Sequence, residues 1–297
     1  MERNMTQCRS ASPLVLVLLL PMISADFTSA TEVVAFPAKV RKQFKLSPFY
    51  AKWLDVGGLP IVASAKVENG AIQEAAWLIN KMIGHRPDIL RAMARNRVRF
   101  SVMAHNELTT DVPEHSDLKP KNYWDRRARG LGATRSRPSV SCGEENLLKF
   151  RSDPYAKENI LIHEFAHAIH QMGLNTIDPT FDRRLRKTFD QAIQQGLWKG
   201  SYAATNKQEY WAEGVQSWFD TNRQNDKQHN HVNTRAELKK YDPRLAKLIA
   251  EVFKDSKWRY SPPSARRRLP HLRGYDPQKL PTFAWPPHLK KLPKKNG

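Results

Sequence analysis

Cysteine is almost absent from this chain, which contains only two among its 297 residues. Cys8 lies in the N-terminal segment that we predict is removed on export, so Cys142 would then be alone. The mature chain is therefore expected to have no intrachain disulfide. Nothing in the local sequence would activate the Cys142 thiol, and we interpret it as a small buried residue rather than a nucleophile.

Long apolar runs are equally scarce, and the only one occupies residues 13–23, PLVLVLLLPMI. This run is too short to cross a bilayer comfortably, and it follows a basic start that contains two arginines. Small residues come next, with Ala25 and Ala30 as the two candidate cleavage points. We predict an export signal over residues 1–30 and a secreted or periplasmic protein; an uncleaved signal anchor is the alternative.

Acidic side chains are in short supply, with 29 Asp and Glu against 49 Lys and Arg, which gives a net charge of +20. Such a charge favours anionic partners such as nucleic acid, acidic cell-wall polymer, a membrane surface or an acidic substrate. Composition does not choose among them, and a solvated basic surface without a specific partner explains it equally well.

The C-terminal residues 261–297 are basic and rich in proline, with Asp276 as their one acid. A segment of this composition cannot build a core of its own, so it either wraps the body or stays extended. Phe283 and Trp285 indicate that its middle docks on the domain, while the last lysines stay free. The tail is a possible binding site for an anionic polymer.

The intervening residues 31–260 are predicted to form one α+β catalytic domain, mostly helical with a small mixed sheet. Apolar periodicity predicts helices over residues 71–83, 153–172, 179–195, 206–219 and 243–253. Alternation predicts a strand over 98–104, and short strands are expected within 138–150. The glycines of GLG at 130–132 are interpreted as part of a loop.

The clearest chemical motif is HEFAH, with His163 and His167 separated by one helical turn. On a helix, such side chains lie on one face about 6 Å apart, so both imidazoles can bind one Zn²⁺. Glu164 would then lie beside the metal's open position as a general base. The alternative is a helix with partly buried, satisfied histidines.

A catalytic zinc site needs a third protein ligand. The metzincin pattern is excluded, because it requires glycine at position 170 and histidine at position 173. This chain has His170 and Gly173. Glu209 and Glu213 in the helix EYWAEGVQSWF also stand four apart, so one can bind zinc while the other fixes a ligand histidine. Alternatively, Glu209 belongs to a capping box with Asn206 as the N-cap.

The segment SYAATNKQEYWAEGVQSWF after HEFAHAIH resembles the catalytic domain of anthrax lethal factor and its relatives among the gluzincin metallopeptidases. The resemblance spans roughly residues 158–219. It implies a zincin-like fold and three zinc ligands: His163, His167 and Glu209. It further implies that Glu164 is the base and that Tyr202 polarises the carbonyl and stabilises the oxyanion. Glu213 would contact a ligand residue without binding the metal itself.

We therefore predict an exported, monomeric zinc metallopeptidase that holds one Zn²⁺ per chain and hydrolyses peptide bonds. An extended substrate is expected along an edge strand within 138–150. One alternative is a zinc amidase that acts on cell-wall peptides; the other is a non-catalytic, zinc-stabilised binder of anionic polymers. His229 and His231 are expected in an exposed loop rather than in a second metal site.

Overall fold

The computed structural model describes residues 32–290. The predicted export signal and the last lysines of the tail lie outside the described residues. Within 32–290, no helix is both long and apolar enough to cross a membrane.

A mixed five-stranded sheet forms one layer of the domain, with the strand order β1-β2-β3-β5-β4. β1 and β2 pair antiparallel, β2, β3 and β5 are parallel, and β4 runs antiparallel to β5 at one edge. The strands are β1 (Lys52–Val56), β2 (Leu59–Ala63), β3 (Arg99–Met103), β4 (Gly130–Leu131) and β5 (Ser139–Gly143).

Helices account for most of the remaining regular structure. They are α1 (Ala38–Phe44), α2 (Asn69–Ile83), α3 (Pro87–Arg95), α4 (Lys121–Arg127), α5 (Glu144–Leu147), α6 (Ile160–Ala168), α7 (Asn175–Ile177), α8 (Phe181–Gln194), α9 (Lys207–Trp218), α10 (Arg235–Tyr241), α11 (Pro243–Phe253) and α12 (Pro287–Lys290). A π-helical segment, Ile169–Leu174, joins α6 to α7. The predicted α+β class, mostly helical with a small mixed sheet, is confirmed.

The central strands present an apolar face to α6. Phe100 and Val102 of β3, with Val140 and Cys142 of β5, alternate along their strands and are buried. The rings of Phe100 and Phe165 meet edge-on with centroids 6.2 Å apart. Burying each such side chain contributes about 1.5–3 kcal/mol, so this contact holds α6 firmly on the sheet. Burial also raises the pKa of the Cys142 thiol well above its usual value, as expected for an unreactive core residue.

The helix that carries HEFAH begins later than predicted, at Ile160 rather than near Asp153. Asp153 is not an N-cap, because its carboxylate accepts from the Tyr155 N–H at 2.9 Å within a local turn. Asn146 accepts from the Ile160 N–H at 2.8 Å, and Asn159 caps the helix by accepting from the Ile162 N–H at 3.1 Å. The start is thus set partly by a side chain from the preceding helix α5.

The free edge of the sheet is not where the sequence predicted it. β5 lies between β3 and β4, so the edge beside the HEFAH helix is the two-residue strand β4, where the sequence predicts a loop. A Cβ on Gly130 would lie 2.4 Å from Ile160 Cγ2 and 3.1 Å from Glu164 Cγ. A Cβ on Gly132 would lie 2.9 Å from the Cβ of His167. These glycines let the edge approach the HEFAH helix closely.

The C-terminal segment packs on the domain as far as Lys290. Pro263, Leu272, Phe283 and Leu289 are buried, and the Phe283 N–H donates to the carbonyl of Arg151 at 2.9 Å. These residues therefore belong to the folded body, as Phe283 had indicated, rather than to a free tail.

A buried ion pair anchors this segment to α2. Glu74 is fully buried; its Oε1 accepts from Arg266 Nη2 at 2.5 Å and its Oε2 accepts from Arg266 Nη1 at 3.1 Å. His271 Nε2 lies 2.8 Å from the same Oε2. The Arg266 guanidinium also lies over the Trp77 ring, 4.2 Å from its centroid. Removing one partner of a buried pair leaves an uncompensated charge.

We expect Arg266→Met to lower the free energy of unfolding by about 3 kcal/mol, because the buried Glu74 carboxylate loses its guanidinium partner and keeps the contact with His271. Urea denaturation measures the effect. Arg268→Met is the matched control, since Arg268 lies two positions away and is exposed. Equal stabilities of the two variants would contradict an anchoring role for Arg266.

Candidate metal centre

The candidate metal centre lies where α9 packs across α6. The indole N–H of Trp211 donates to the carbonyl of Ala166 at 2.9 Å and fastens the two helices together. Asn206 is the N-cap of α9, and it accepts from the N–H groups of Gln208 and Glu209 at 2.9 Å each. The predicted N-cap is therefore present, yet the Glu209 side chain turns towards α6.

Three candidate ligand atoms converge at this crossing. His163 Nε2 lies 3.2 Å from His167 Nε2 and 3.2 Å from Glu209 Oε2, and His167 Nε2 lies 3.4 Å from the same oxygen. The cluster is the group of His, Cys, Asp and Glu side chains among residues 32–290 whose arrangement could hold a metal ion. Two imidazole nitrogens and one carboxylate oxygen match the donor set of a catalytic zinc site.

The hydrogen bonding around His163 supports a cation at the centre of the cluster. His163 Nδ1 lies 2.8 Å from Gln216 Oε1, which can only accept, so Nδ1 carries the proton. The Nε2 atom then turns its lone pair towards Glu209, another acceptor. A proton on one of the two Nε2 atoms can be donated to only one neighbouring atom, whereas a metal ion can bind all three atoms of the cluster.

The electrostatics of the cluster agree with this interpretation. Burial alone would lower the pKa of His163, but the surrounding carboxylates, Glu209 first, outweigh it and raise the pKa well above its usual value. Burial would raise the pKa of Glu209, but hydrogen bonds and charge from the two histidines lower it strongly. The same negative field that protonates a histidine in a metal-free site favours a bound cation.

The nearest support for His163 is Gln216 rather than Glu213, which lies 3.6 Å from Nδ1. The Gln216 amide donates to Glu158 at 3.1 Å, and this fixes its orientation. Glu213 instead pairs with His229 Nε2 at 3.3 Å. The expectation of an exposed loop was therefore wrong for His229, which is buried.

His167 of α6 and His170 of the following π-helical segment have different surroundings. His167 packs against the backbone of Gly132, and its Nδ1 has no hydrogen-bond partner among the described residues. His170 is buried outside the cluster, with Nε2 3.0 Å from Asp182, which also accepts from Lys207 at 2.6 Å. His170 is therefore not one of the three side chains of the cluster.

Glu164 lies between the histidine cluster and the edge strand. Its Oε2 is 3.5 Å from the position that a Cβ on Gly132 would take. Burial raises its pKa, and this effect is opposed by His163 and His167. A carboxylate in this environment is a better proton acceptor than one in water.

Tyr202 closes the other side of the cluster from a short 3₁₀ turn, Tyr202–Ala204. Its ring stacks on His163, with centroids 6.4 Å apart, and its N–H donates to the carbonyl of Gln228 at 2.7 Å. Burial and the charge of Glu209 raise the pKa of Tyr202. The phenol is therefore protonated at neutral pH and can donate a hydrogen bond.

Sequence analysis missed Arg127, the last residue of α4. The positive charge of its guanidinium acts on Tyr202 and on Glu164, where it opposes the rise in the pKa of each group. No motif surrounds Arg127, which lies in a turn-rich basic stretch. Only its position in the structure identifies it as a neighbour of the site.

No protein-family model and no curated protein matches this chain. Among solved structures, the PRO-PRO endopeptidase PPEP-2 of Paenibacillus alvei is similar, with a TM-score of 0.40 and 16% sequence identity. The alignment covers 67% of this chain and 98% of that chain. This similarity is too distant to assign a function, so the assignment of the metal centre rests on its own geometry.

Proposed function

We propose that this protein is a zinc-dependent metallopeptidase of the gluzincin type, with a zincin-like domain similar to the catalytic domain of anthrax lethal factor. The observation that carries the proposal is the convergence of His163 Nε2, His167 Nε2 and Glu209 Oε2 within 4.8 Å of one another. A non-catalytic zinc site needs neither an adjacent, partly buried carboxylate nor a protonated phenol, and Glu164 and Tyr202 supply both.

His163, His167 and Glu209 would hold one Zn²⁺ per chain and leave its fourth position to water or substrate. Zinc bound there would supply Lewis acidity, which polarises the scissile carbonyl and lowers the pKa of coordinated water towards about 7. Gln216 keeps His163 in the tautomer that presents Nε2 to the metal.

Glu164 acts as the general base and then as the general acid. It takes a proton from the attacking water and later gives it to the leaving amine. Its raised pKa suits both steps, because such a carboxylate accepts a proton readily and can still release it.

Tyr202 stabilises the negative charge that develops on the carbonyl oxygen. Its phenol remains protonated and stands across the histidine cluster, so it can donate to that oxygen in the transition state. Pre-positioned donors of this kind are often the largest single contribution to the lowering of a barrier.

An extended peptide substrate would pair with β4, the free edge beside Glu164. The edge consists of Gly130 and Leu131, so it offers few backbone groups. The Leu131 N–H is already taken by the Ser141 hydroxyl at 3.1 Å. Recognition is therefore expected to depend on side chains around the edge as well as on backbone pairing.

Secretion or export to the periplasm is part of the proposal and is supported by the apolar run 13–23 and its basic start. A zinc amidase that acts on cell-wall peptides would use the same centre. Incubating the mature protein with a proteome-derived peptide library and with purified cell-wall peptides separates the two, because only a general peptidase yields many sites in the library.

Metal dependence gives the direct test of the proposed function. We expect 1,10-phenanthroline to abolish cleavage of the library peptides and stoichiometric Zn²⁺ to restore it, because Glu164 and Tyr202 alone cannot activate water sufficiently. Mass spectrometry of the peptides and metal analysis of the protein supply the two measurements. Full cleavage by a protein shown to be free of metal would contradict the proposal.

A further inference from the structure

We infer that Glu158 is a positioning residue for the proposed metal centre: it holds the Gln216 amide in the one orientation that leaves His163 Nε2 free to bind zinc. Glu158 lies outside the cluster, directly before the N-cap of α6, and it is buried. This role depends on the proposed function, because it requires His163 to be a zinc ligand.

The orientation of the Gln216 amide decides which tautomer of His163 is favoured. An amide has an oxygen that accepts and a nitrogen that donates, in groups of nearly the same size. Gln216 Oε1 lies 2.8 Å from His163 Nδ1, so the imidazole proton is on Nδ1 and Nε2 keeps its lone pair. The opposite orientation would turn the NH2 group towards Nδ1. A neutral His163 would then accept at Nδ1 and carry its proton on Nε2, the atom that a metal ion needs.

Two acceptors on the far side of Gln216 select the orientation that suits metal binding. Gln216 Nε2 donates to Glu158 Oε2 at 3.1 Å and to the carbonyl of Asn159 at 3.4 Å. Gln216 is fully buried, so an amide turned the other way would face these two oxygens with a third and could not turn to water instead. The shorter of the two contacts is to a carboxylate, and hydrogen bonds to charged groups are the stronger ones. Glu158 is therefore the main constraint on the amide.

Arg223 fixes Glu158 from its other side. Arg223 Nε lies 3.2 Å from Glu158 Oε1, the oxygen that Gln216 does not contact. Arg223 also lies 3.7 Å from Asp226 and donates from Nη2 to Gln228 Oε1 at 3.2 Å. A guanidinium only donates, so the group at position 158 must present an oxygen to it. A carboxylate satisfies both Arg223 and Gln216, because both of its oxygens accept.

An amide at position 158 could not satisfy both neighbours in this way. Arg223 would take its oxygen, so its NH2 group would face Gln216 and favour the opposite orientation of that side chain. Glu158→Gln therefore keeps the size of the side chain and changes only the direction of hydrogen bonding. We expect E158Q to weaken zinc binding about 10-fold, at the lower end of the effect of groups that orient a ligand. Competition with a chromophoric chelator measures the affinity.

A second substitution should restore the affinity. In E158Q/Q216E, the amide at position 158 donates to a carboxylate at position 216, and that carboxylate offers only oxygens to His163 Nδ1. The total charge of the pair is unchanged. We expect the zinc affinity of the double variant to return to within about threefold of wild type or to exceed it, since a carboxylate raises the basicity of a ligand histidine. If Glu158 only stabilised the fold through Arg223, Q216E would rescue nothing.

Glu74→Gln is the matched control. Glu74 is buried on α2 and paired with Arg266, as Glu158 is paired with Arg223, but its partners belong to the C-terminal segment. E74Q should lower the melting temperature of the metal-free protein and leave the zinc affinity within about twofold of wild type. The comparison separates the loss of a buried ion pair from the loss of the Gln216 orientation.

The orientation can also be measured in the wild-type protein, which covers the case in which E158Q does not fold. In the isotope-labelled, zinc-loaded protein, we expect nuclear Overhauser effects between the Gln216 side-chain amide protons and the Glu158 side chain. The His163 Nδ1 proton should exchange slowly with water, because it is donated to a buried oxygen. A strong effect between the Gln216 amide protons and the His163 Nδ1 proton would overturn the inference.

Wild-type zinc affinity of E158Q, in a protein that Glu209→Gln deprives of zinc, would overturn the inference and leave the proposed function intact. A loss in E158Q that E158Q/Q216E does not recover would also overturn it, because Glu158 would then not act through Gln216. Failure of the wild-type protein to bind zinc would contradict the proposed function instead.

Discussion

Glu164→Gln is expected to abolish peptide hydrolysis, by about 10²–10⁴-fold in kcat, while the protein keeps its zinc and its fold. Glutamine has nearly the same shape as glutamate but cannot accept the proton of the attacking water. The change should not disturb metal binding, because the three proposed ligand atoms belong to His163, His167 and Glu209.

The measurements are kcat/KM on a library-derived peptide, zinc content and melting temperature. Glu251→Gln is the matched control, since Glu251 is an exposed glutamate on α11 whose carboxylate pairs with Arg184 at 2.5 Å. Turnover of Glu164→Gln close to wild type would point to a different base and refute the mechanism. Loss of zinc along with activity would show that Glu164 is also a ligand.

The HEFAH helix could be predicted because its information is local. The spacing of His163 and His167 is a helical turn whatever surrounds it, and Glu164 follows directly. Glu209 could be singled out because it lies on a second periodic segment with its own N-cap, Asn206. Convergence of the three ligand atoms then requires only that two amphipathic helices pack, which their apolar faces favour.

The start of that helix and the edge of the sheet could not be predicted, because both depend on partners distant in the chain. Asp153 and Pro154 have the right residue types for a helix start, but Asn146 binds the Ile160 N–H and moves the start later. The sequence places an edge strand within 138–150, because nothing local in GLG reveals that it pairs with β5 as β4. The need for a glycine at position 130 becomes evident only from its close approach to Ile160 in the structure.

The side chain of α9 that lies nearest to His163 Nδ1 could not be predicted from helical spacing alone. Glu213 lies four positions after Glu209 and Gln216 lies seven after it, so both fall on the face of α9 that meets α6. Helical spacing alone does not separate them, whereas the structure places Gln216 Oε1 0.8 Å nearer to Nδ1, at 2.8 Å against 3.6 Å. The chemical preference for a carboxylate beside a ligand histidine pointed to Glu213.

Some of the positively charged side chains make contacts within the molecule. Arg266 is committed to Glu74, and Arg126 and Arg129 lie over Trp285 and Phe283. These cations attach the C-terminal segment and are not available to a polymer. Binding of an anionic polymer through the remaining exposed lysines and arginines stays a prediction, and such binding would weaken steeply with salt.

The second large effect is expected at the third ligand. Glu209→Gln should lower zinc affinity more than the 10–100-fold typical of changes in groups that only support a ligand. The amide is a neutral and weaker donor for zinc than a carboxylate. The variant also loses the carboxylate whose hydrogen bond does most to raise the pKa of His163, and with it one of the negative charges that favour a cation there.

Glu213→Gln is the matched control, since it makes the same chemical change one turn later on α9. It should weaken zinc binding by less than Glu209→Gln, because Glu213 lies 3.6 Å from His163 Nδ1 and pairs mainly with His229. Gln216→Ala should fall within the 10–100-fold range, because it removes the 2.8 Å acceptor that fixes the His163 tautomer. Competition with a chromophoric chelator measures the three affinities, with melting temperatures to verify folding. If Glu213→Gln lost its zinc while Glu209→Gln kept it, the roles of the two glutamates would be reversed.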